Sequence, residues 1–193
     1  QKKDVPQAAA VLVGAFEHDP VWKVILNDAT PTQRIATFEA PLLHCLKYGE
    51  VYAPSENLEG VAAWTPGEWA AMTPWRMLRS GAIWTGLRMG WGVAKKMEPI
   101  FAPLDADRKE NMKGQTYTYL LIIGVAPAFQ GQGFGGKLLR ALIEESERTG
   151  TLLYLETETE SNVRMYEHLG FTVVKEIVLP MINLLMWEMT RGG

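Results

Sequence analysis

Four glycines fall within six positions in the run Gly131-Gln132-Gly133-Phe134-Gly135-Gly136, with Gln130 before it and Lys137 after it. Without Cβ atoms, such a run leaves a row of backbone N–H groups open to close approach. Set between a strand and a helix, the row joins the helix's leading amides and dipole to make an anion cradle, and a phosphate-bearing ligand is expected there. Two phosphate motifs match by spacing alone. Gly131, Gly133 and Gly136 satisfy G-x-G-x-x-G, with Glu156 20 residues beyond in the place of a ribose-binding acid. However, Ala126-Pro127-Ala128-Phe129-Gln130 separate the loop from the strand ending at Val125, and only 37 residues follow Glu156, too few for a doubly wound sheet. Gly131 to Lys137 also reads as G-x-x-x-x-G-K, but Leu138 offers no hydroxyl for magnesium.

The elements that must position this loop follow from the apolar periodicity. Tyr117 to Val125 reads as a strand, Gly133 to Arg148 as a helix and Thr151 to Thr157 as a second strand, so a right-handed parallel crossover carries the loop at its first turn. Ser161 to Leu169 is a short helix ended by Gly170, on which Asn162 and Tyr166, four residues apart, share one face. Phe171 to Val178 and Ile182 to Met189 are two further strands. Upstream, a first helix has Asp4 as its cap and stops at Asp19-Pro20. A second runs from Thr30-Pro31 to Lys47 with Ile35, Phe38, Leu42 and Leu46 buried, and a hairpin spans Glu50–Ala53 and Gly60–Thr65. Residues 67–114 form a helical insertion holding Trp69, Trp75, Trp84 and Trp91. The first expectation for Trp84, Leu87 and Trp91 is packing against the main core; a cover over the substrate and a membrane-surface helix are the alternatives.

Composition narrows the function classes. The 193 residues are 47% hydrophobic with a formal charge of −3, which fits one soluble domain and sets aside disorder and general nucleic-acid binding. Cys45 is a single cysteine, and His18, His44 and His168 lack metal-ligand spacing, so neither a disulfide nor a metal is expected. A reducing, cytoplasmic location and no stable membrane association are expected, and a homodimer stays open. The average charge conceals a division. Arg76 to Lys113 holds eight basic and four acidic residues, whereas Glu144 to Glu167 holds seven acidic and two basic.

The stretch Gly124-Val125-Ala126-Pro127 with Gln130-Gly131-Gln132-Gly133-Phe134-Gly135 resembles the acetyl-CoA pyrophosphate loop of the GNAT superfamily of N-acetyltransferases. Glu156-Thr157, Asn162, Tyr166-Glu167 and Leu169-Gly170-Phe171 resemble its second cofactor motif, in the expected order. Within the superfamily the chain is most similar to the puromycin N-acetyltransferase type. The resemblance implies an acyl-CoA N-acyltransferase fold of the α/β (α+β) class: one mixed, mostly antiparallel sheet with a central parallel crossover, flanked by helices. Residues 1–193 would be a single domain, with the insertion at 67–114 and the acetyl-CoA-binding half at 116–190. It also implies that the amides of Gln130 to Gly136 hold the pyrophosphate and that the backbone of Ile123, Gly124 and Val125 pairs with the pantetheine arm. Asn162 would orient that arm, and Tyr166, protonated at neutral pH with a reference pKa of about 10, would protonate the departing thiolate.

Acceptor amines are mostly protonated in water, and Glu156 at the end of its strand can take that proton directly or through water. Glu156, Glu158 and Glu160 equally read as a solvated acidic edge. The expected activity is transfer of acetyl from acetyl-CoA to a primary amine of a small molecule by direct attack in a ternary complex, without metal. A peptide or protein acetyltransferase and a non-catalytic CoA-binding sensor are the alternatives.

Overall fold

A computed structural model describes residues 1–192. Its helices and strands are α1 (Val5–Ala15), α2 (Pro20–Leu26), α3 (Pro31–Tyr48), β1 (Glu50–Tyr52), β2 (Gly60–Pro66), α4 (Pro74–Ser80), α5 (Ala82–Met89), α6 (Trp91–Asn111), β3 (Tyr117–Val125), α7 (Phe134–Thr149), β4 (Leu152–Thr157), α8 (Glu160–His168), β5 (Thr172–Leu179) and β6 (Leu184–Arg191). The strands form one six-stranded sheet in the order β1-β2-β3-β4-β6-β5, antiparallel except for the β3–β4 pair. This is the mixed architecture expected from the sequence.

Local chemistry explains the helix starts. Thr30 and Gln33 close a capping box, each side chain bonded to the other's backbone N–H, and Pro31 sits at the first position of α3. Asp19-Pro20 corrects the sequence reading. It does not merely stop α1; Asp19 accepts the N–H of Trp22 at 2.9 Å and begins α2. Asp4 precedes α1 without a side-chain capping bond.

The sheet separates two apolar clusters. On one face Leu12, Ile25, Phe38, Leu42, Ile100 and Ile122 pack together; on the other Leu138, Leu142, Leu153, Leu155, Tyr166 and Phe171 do. Between them β3 changes its alternation. Ala63 pairs with Ile122 but Trp64 pairs with Leu120, so Leu121 is an extra residue, a bulge that sends Leu120 and Ile122 into opposite clusters.

The parallel pair is short. Tyr117, Thr118 and Tyr119 are in register with Leu152, Leu153 and Tyr154, after which β3 continues against β2 alone and β4 against β6 alone. The sheet therefore splits into two diverging halves, and the split positions the site.

Candidate active site

A cavity occupies the split. Its walls include Leu120 to Ile123 of β3, Leu155 to Glu158 at the end of β4, and Asn162 and Tyr166 of α8. The structure thus brings Ile123, Glu156, Asn162 and Tyr166 around one space, while Gly124 and Val125 carry the same strand onward to the glycine loop. Gly124 is bare for a reason of packing: a Cβ there would stand 2.9 Å from the Cβ of Ala15 and 3.0 Å from Leu12, so glycine lets α1 lie directly on the strand.

The loop is shaped by its own side chains. Gln130 Nε2 donates to the Val125 carbonyl at 3.1 Å and Gln132 Nε2 to the Ala128 carbonyl at 2.9 Å. Gly131 and Gly133 have φ of +74° and +83°, a left-handed backbone that disfavours other residues, and a Cβ on either would meet nothing within 4 Å. The space in front of the loop is therefore clear. The N–H groups of residues 131–136 find no backbone acceptor among the described residues. Lys137 Nζ lies 4.7 Å over the ring of Phe134, which also meets Phe129 edge-on. Arg140, which the sequence reading passed over, brings Nη1 within 3.4 Å of where a Cβ on Gly136 would stand. Free amides, a helix N-terminus and two nearby cations make a cradle that fits a pyrophosphate.

On α8, Asn162 Nδ2 donates to Thr157 Oγ1 at 3.1 Å, which ties the helix to the end of β4, and Thr159 caps the helix through the Asn162 N–H. Tyr166 is buried against Phe171 with ring centroids 5.5 Å apart. Burial first, and then the Glu158 carboxylate, hold its phenol well above the ordinary tyrosine range, so it stays protonated.

The three glutamates part company. Glu160 is exposed and pairs with Arg164, as an acidic edge would. Glu156 is not solvated: its side chain is only 8% exposed, with Arg108 Nη1 3.9 Å away and Oε1 without a hydrogen-bond partner. Burial pushes its carboxyl up to about 7, with the Arg108 charge and the Tyr119 hydroxyl opposing that rise. Glu158 lies beside Asp19 on the cavity wall, and burial followed by that neighbouring carboxyl pushes it up to about 8.

Arg108 comes from the insertion and was not singled out by sequence. It is buried, lies 4.3 Å over the Tyr119 ring and pairs with Asp105. Asn111 of the same helix donates to Glu188, which is buried beside Tyr154. Asp105, Arg108 and Asn111 recur at three-residue spacing on a helix whose apolar side holds Ile100 and Leu104. That polar stripe was the available signal. The cover alternative for the insertion is also refined: Phe101 and Leu104 of α6 line the cavity, but Trp75, Trp84 and Trp91 do not. Nor do these three pack on the core, as first expected; they are 64%, 67% and 81% exposed. Trp69 does pack, stacked on Tyr48.

His168 Nδ1 donates to the Arg164 carbonyl, 2.6 Å away on its own helix, and His168 does not line the cavity. Cys45 is fully buried, and burial raises its thiol to about 12, which leaves it inert as a nucleophile.

A glycine loop at the start of a helix, a split parallel strand pair and a buried carboxyl and phenol beside the split are what an acyl-CoA transferase would require. The sequence profile of the Acetyltransferase (GNAT) family matches residues 56–171, and the chain belongs to that family of acetyl-CoA-dependent acetyltransferases. It is 28% identical over 192 residues to an uncharacterised N-acetyltransferase of Schizosaccharomyces pombe, a match that covers 95% of this chain and 76% of the yeast protein. Among solved structures, a histone acetyltransferase HPA2 and related acetyltransferase from Corynebacterium glutamicum superposes with a TM-score of 0.64 at 20% identity, covering 100% of this chain and 92% of that one. A Drosophila melanogaster polyamine N-acetyltransferase that forms N-acetylagmatine superposes with a TM-score of 0.62 at 14% identity, covering 100% and 97%. These two likenesses are of fold.

Proposed function

We propose that the protein acetylates the primary amine of a small cationic molecule by direct attack in a ternary complex. The observation that carries this reading is the lining of the cavity: Asp19, Glu156 and Glu158 stand among Phe16, Trp22, Phe101, Tyr119 and Tyr166, so that the carboxyls outnumber the neighbouring Arg108, which lies behind the wall 3.9 Å from Glu156. Carboxylates and aromatic faces together suit an ammonium group. The polyamine substrate named for the Drosophila structure is of the same chemical class.

Acetyl-CoA, when bound, supplies an activated acetyl thioester. The residues of this chain then have the following roles. The amides of 131–136, with Lys137 and Arg140 beside them, neutralise the pyrophosphate. The backbone of Ile123, Gly124 and Val125 runs along the open edge of β3 and receives the pantetheine arm, with an N–H there donating to the carbonyl oxygen as negative charge gathers on it. Asn162, pinned by Thr157, orients the arm. Glu156 takes a proton from the incoming ammonium, for which a carboxyl near 7 is well matched at neutral pH. The freed amine forms the new C–N bond as the C–S bond breaks; Tyr166 gives its proton to the departing sulfur, the second proton shed by the nitrogen as it becomes an amide returns to the tyrosinate through water, and the proton held by Glu156 passes to solvent. The same reading makes residues 1–193 one domain with its acetyl-CoA-binding half at 116–190, and places the enzyme in the cytoplasm.

The test is thiol release from acetyl-CoA across aminonucleosides, polyamines, amino acids and peptide amino termini. Turnover with cationic small amines is expected, and Tyr166→Phe is expected to lower it roughly tenfold or more at unchanged CoA affinity. Aminonucleosides in the panel address the puromycin type of specificity. Preference for peptide termini would redirect the acceptor to proteins, and CoA binding without turnover of any amine would make the chain a sensor.

A further inference from the structure

Two short helices of the insertion, α4 and α5, and the first residue of α6 carry large apolar side chains outward. In α5 the residues turned toward α3 and buried are Ala82, Thr85 and Met89, whereas Trp84 and Leu87 are 67% and 69% exposed. Trp91, the first residue of α6 beyond the break at Gly90, is 81% exposed, and Trp75 and Leu78 of α4 are 64% and 51% exposed. A helix that buries only Met89 among its large apolar residues, beside Ala82 and Thr85, while exposing Trp84 and Leu87 departs from the ordinary surface pattern. The presentation is fixed from beneath: Arg88 reaches Glu39, which is buried in α3, at 2.8 Å.

Charge identifies the occupant. Residues 74–97 contain Arg76, Arg79, Arg88, Lys95 and Lys96 and no Asp or Glu. Arg76 lies over Trp69, Arg88 pairs with Glu39 and Lys96 with Asp28. Arg79 and Lys95 are exposed and have no carboxylate partner among the described residues. Tryptophan and leucine interleaved with cations is the composition of a helix lying in a membrane interface, where indole rings settle at headgroup depth and the cations meet anionic lipid. A second copy of the chain is a poor match, because a two-fold contact through this face would set its cations against themselves.

We propose that α4, α5 and the start of α6 form a peripheral docking surface for anionic lipid bilayers, with Trp75, Trp84 and Trp91 entering the interface and Arg79 and Lys95 meeting the headgroups. Such docking is reversible and salt-sensitive. No helix among the described residues is long and apolar enough to cross a membrane. The proposal revises the expectation of no stable membrane association and is independent of the acceptor reading, since none of the five apolar side chains lines the cavity.

The test is co-sedimentation of the full chain with phosphatidylcholine vesicles and with vesicles containing about 30% phosphatidylglycerol. Binding to the anionic vesicles only, a blue shift of tryptophan emission and release by high salt are expected. Trp84→Ala with Trp91→Ala should weaken vesicle binding about tenfold or more, and Arg79→Glu with Lys95→Glu should remove the preference for anionic lipid, both at unchanged CoA affinity. Equal or absent binding to the two vesicle types overturns the proposal. So does a concentration-dependent dimer that the Trp84→Ala, Trp91→Ala variant dissolves, which would assign the face to a second copy.

Discussion

Glu156 is held between opposed influences, burial favouring its neutral form and Arg108 its ionised form. As the proposed base it works ionised, so kcat/KM should rise with pH through about 7, and Glu156→Gln should lose that limb along with most of the turnover. Arg108→Gln removes the nearby positive charge and should move the limb to higher pH; an unmoved limb would mean that another group sets it. Stability gives a second readout. The folded-state pKa of about 7 lies above the ordinary 4.5, so this group's contribution is full below 4.5 and is lost as pH rises through 7. The loss is about 3 kcal/mol, reduced by any relaxation around the ionised carboxylate. Denaturation of Glu156→Gln over that interval should show a flatter pH dependence than the parent. The place of Glu156 near the end of its strand was legible in the sequence. Its burial was not, because that depends on Arg108, Tyr154 and Glu188, which come together only when α6 docks under β4 and β6.

Among the elements, the glycine loop and α7 were the most legible, since the loop's shape is set by contiguous glycines and the helix follows directly. Gly133→Val tests that shape. The φ of +83° disfavours a β-branched residue, at a cost of roughly 1–2 kcal/mol, and the new side chain projects into the clear space ahead of the loop. CoA affinity should fall more than tenfold with a much smaller relative change in folding; unchanged affinity would detach the loop from phosphate binding. The hairpin, α3 and the last two strands also fell close to where the sequence put them, the hairpin marked by its turn residues and α3 by a capping box. The insertion failed in one respect. A row at positions 84, 87 and 91 signals an apolar stripe but cannot say whether a partner exists to cover it, and here the small residues Ala82 and Thr85 take the inner position. α2 was missed because Asp-Pro reads both as a stop and as a start; the side-chain bond to Trp22 decides it.

Taken as a whole, the molecule separates its charges, with the cationic residues 74–97 on the outer helices and acid lining the cavity. Electrostatic focusing into such a cavity should make KM for a cationic amine rise with salt, and KM for a neutral analogue should rise much less. Equal responses would show that the acidic lining does not select the acceptor. The cluster of negative charge from Glu144 to Glu167 was visible in the sequence, but its division into a solvated Glu160 and an enclosed Glu156 needed the fold. The three-residue pairing of β3 with β4 has a consequence for motion as well as for binding. The sheet's hydrogen-bonded ladder is nearly severed there, so β1-β2-β3 and β4-β6-β5 can open as separate cooperative units. Hydrogen exchange should find the strand amides nearest this fault line less protected than those of the long β5–β6 ladder. A ligand laid along it would knit the two units together and raise the protection of both.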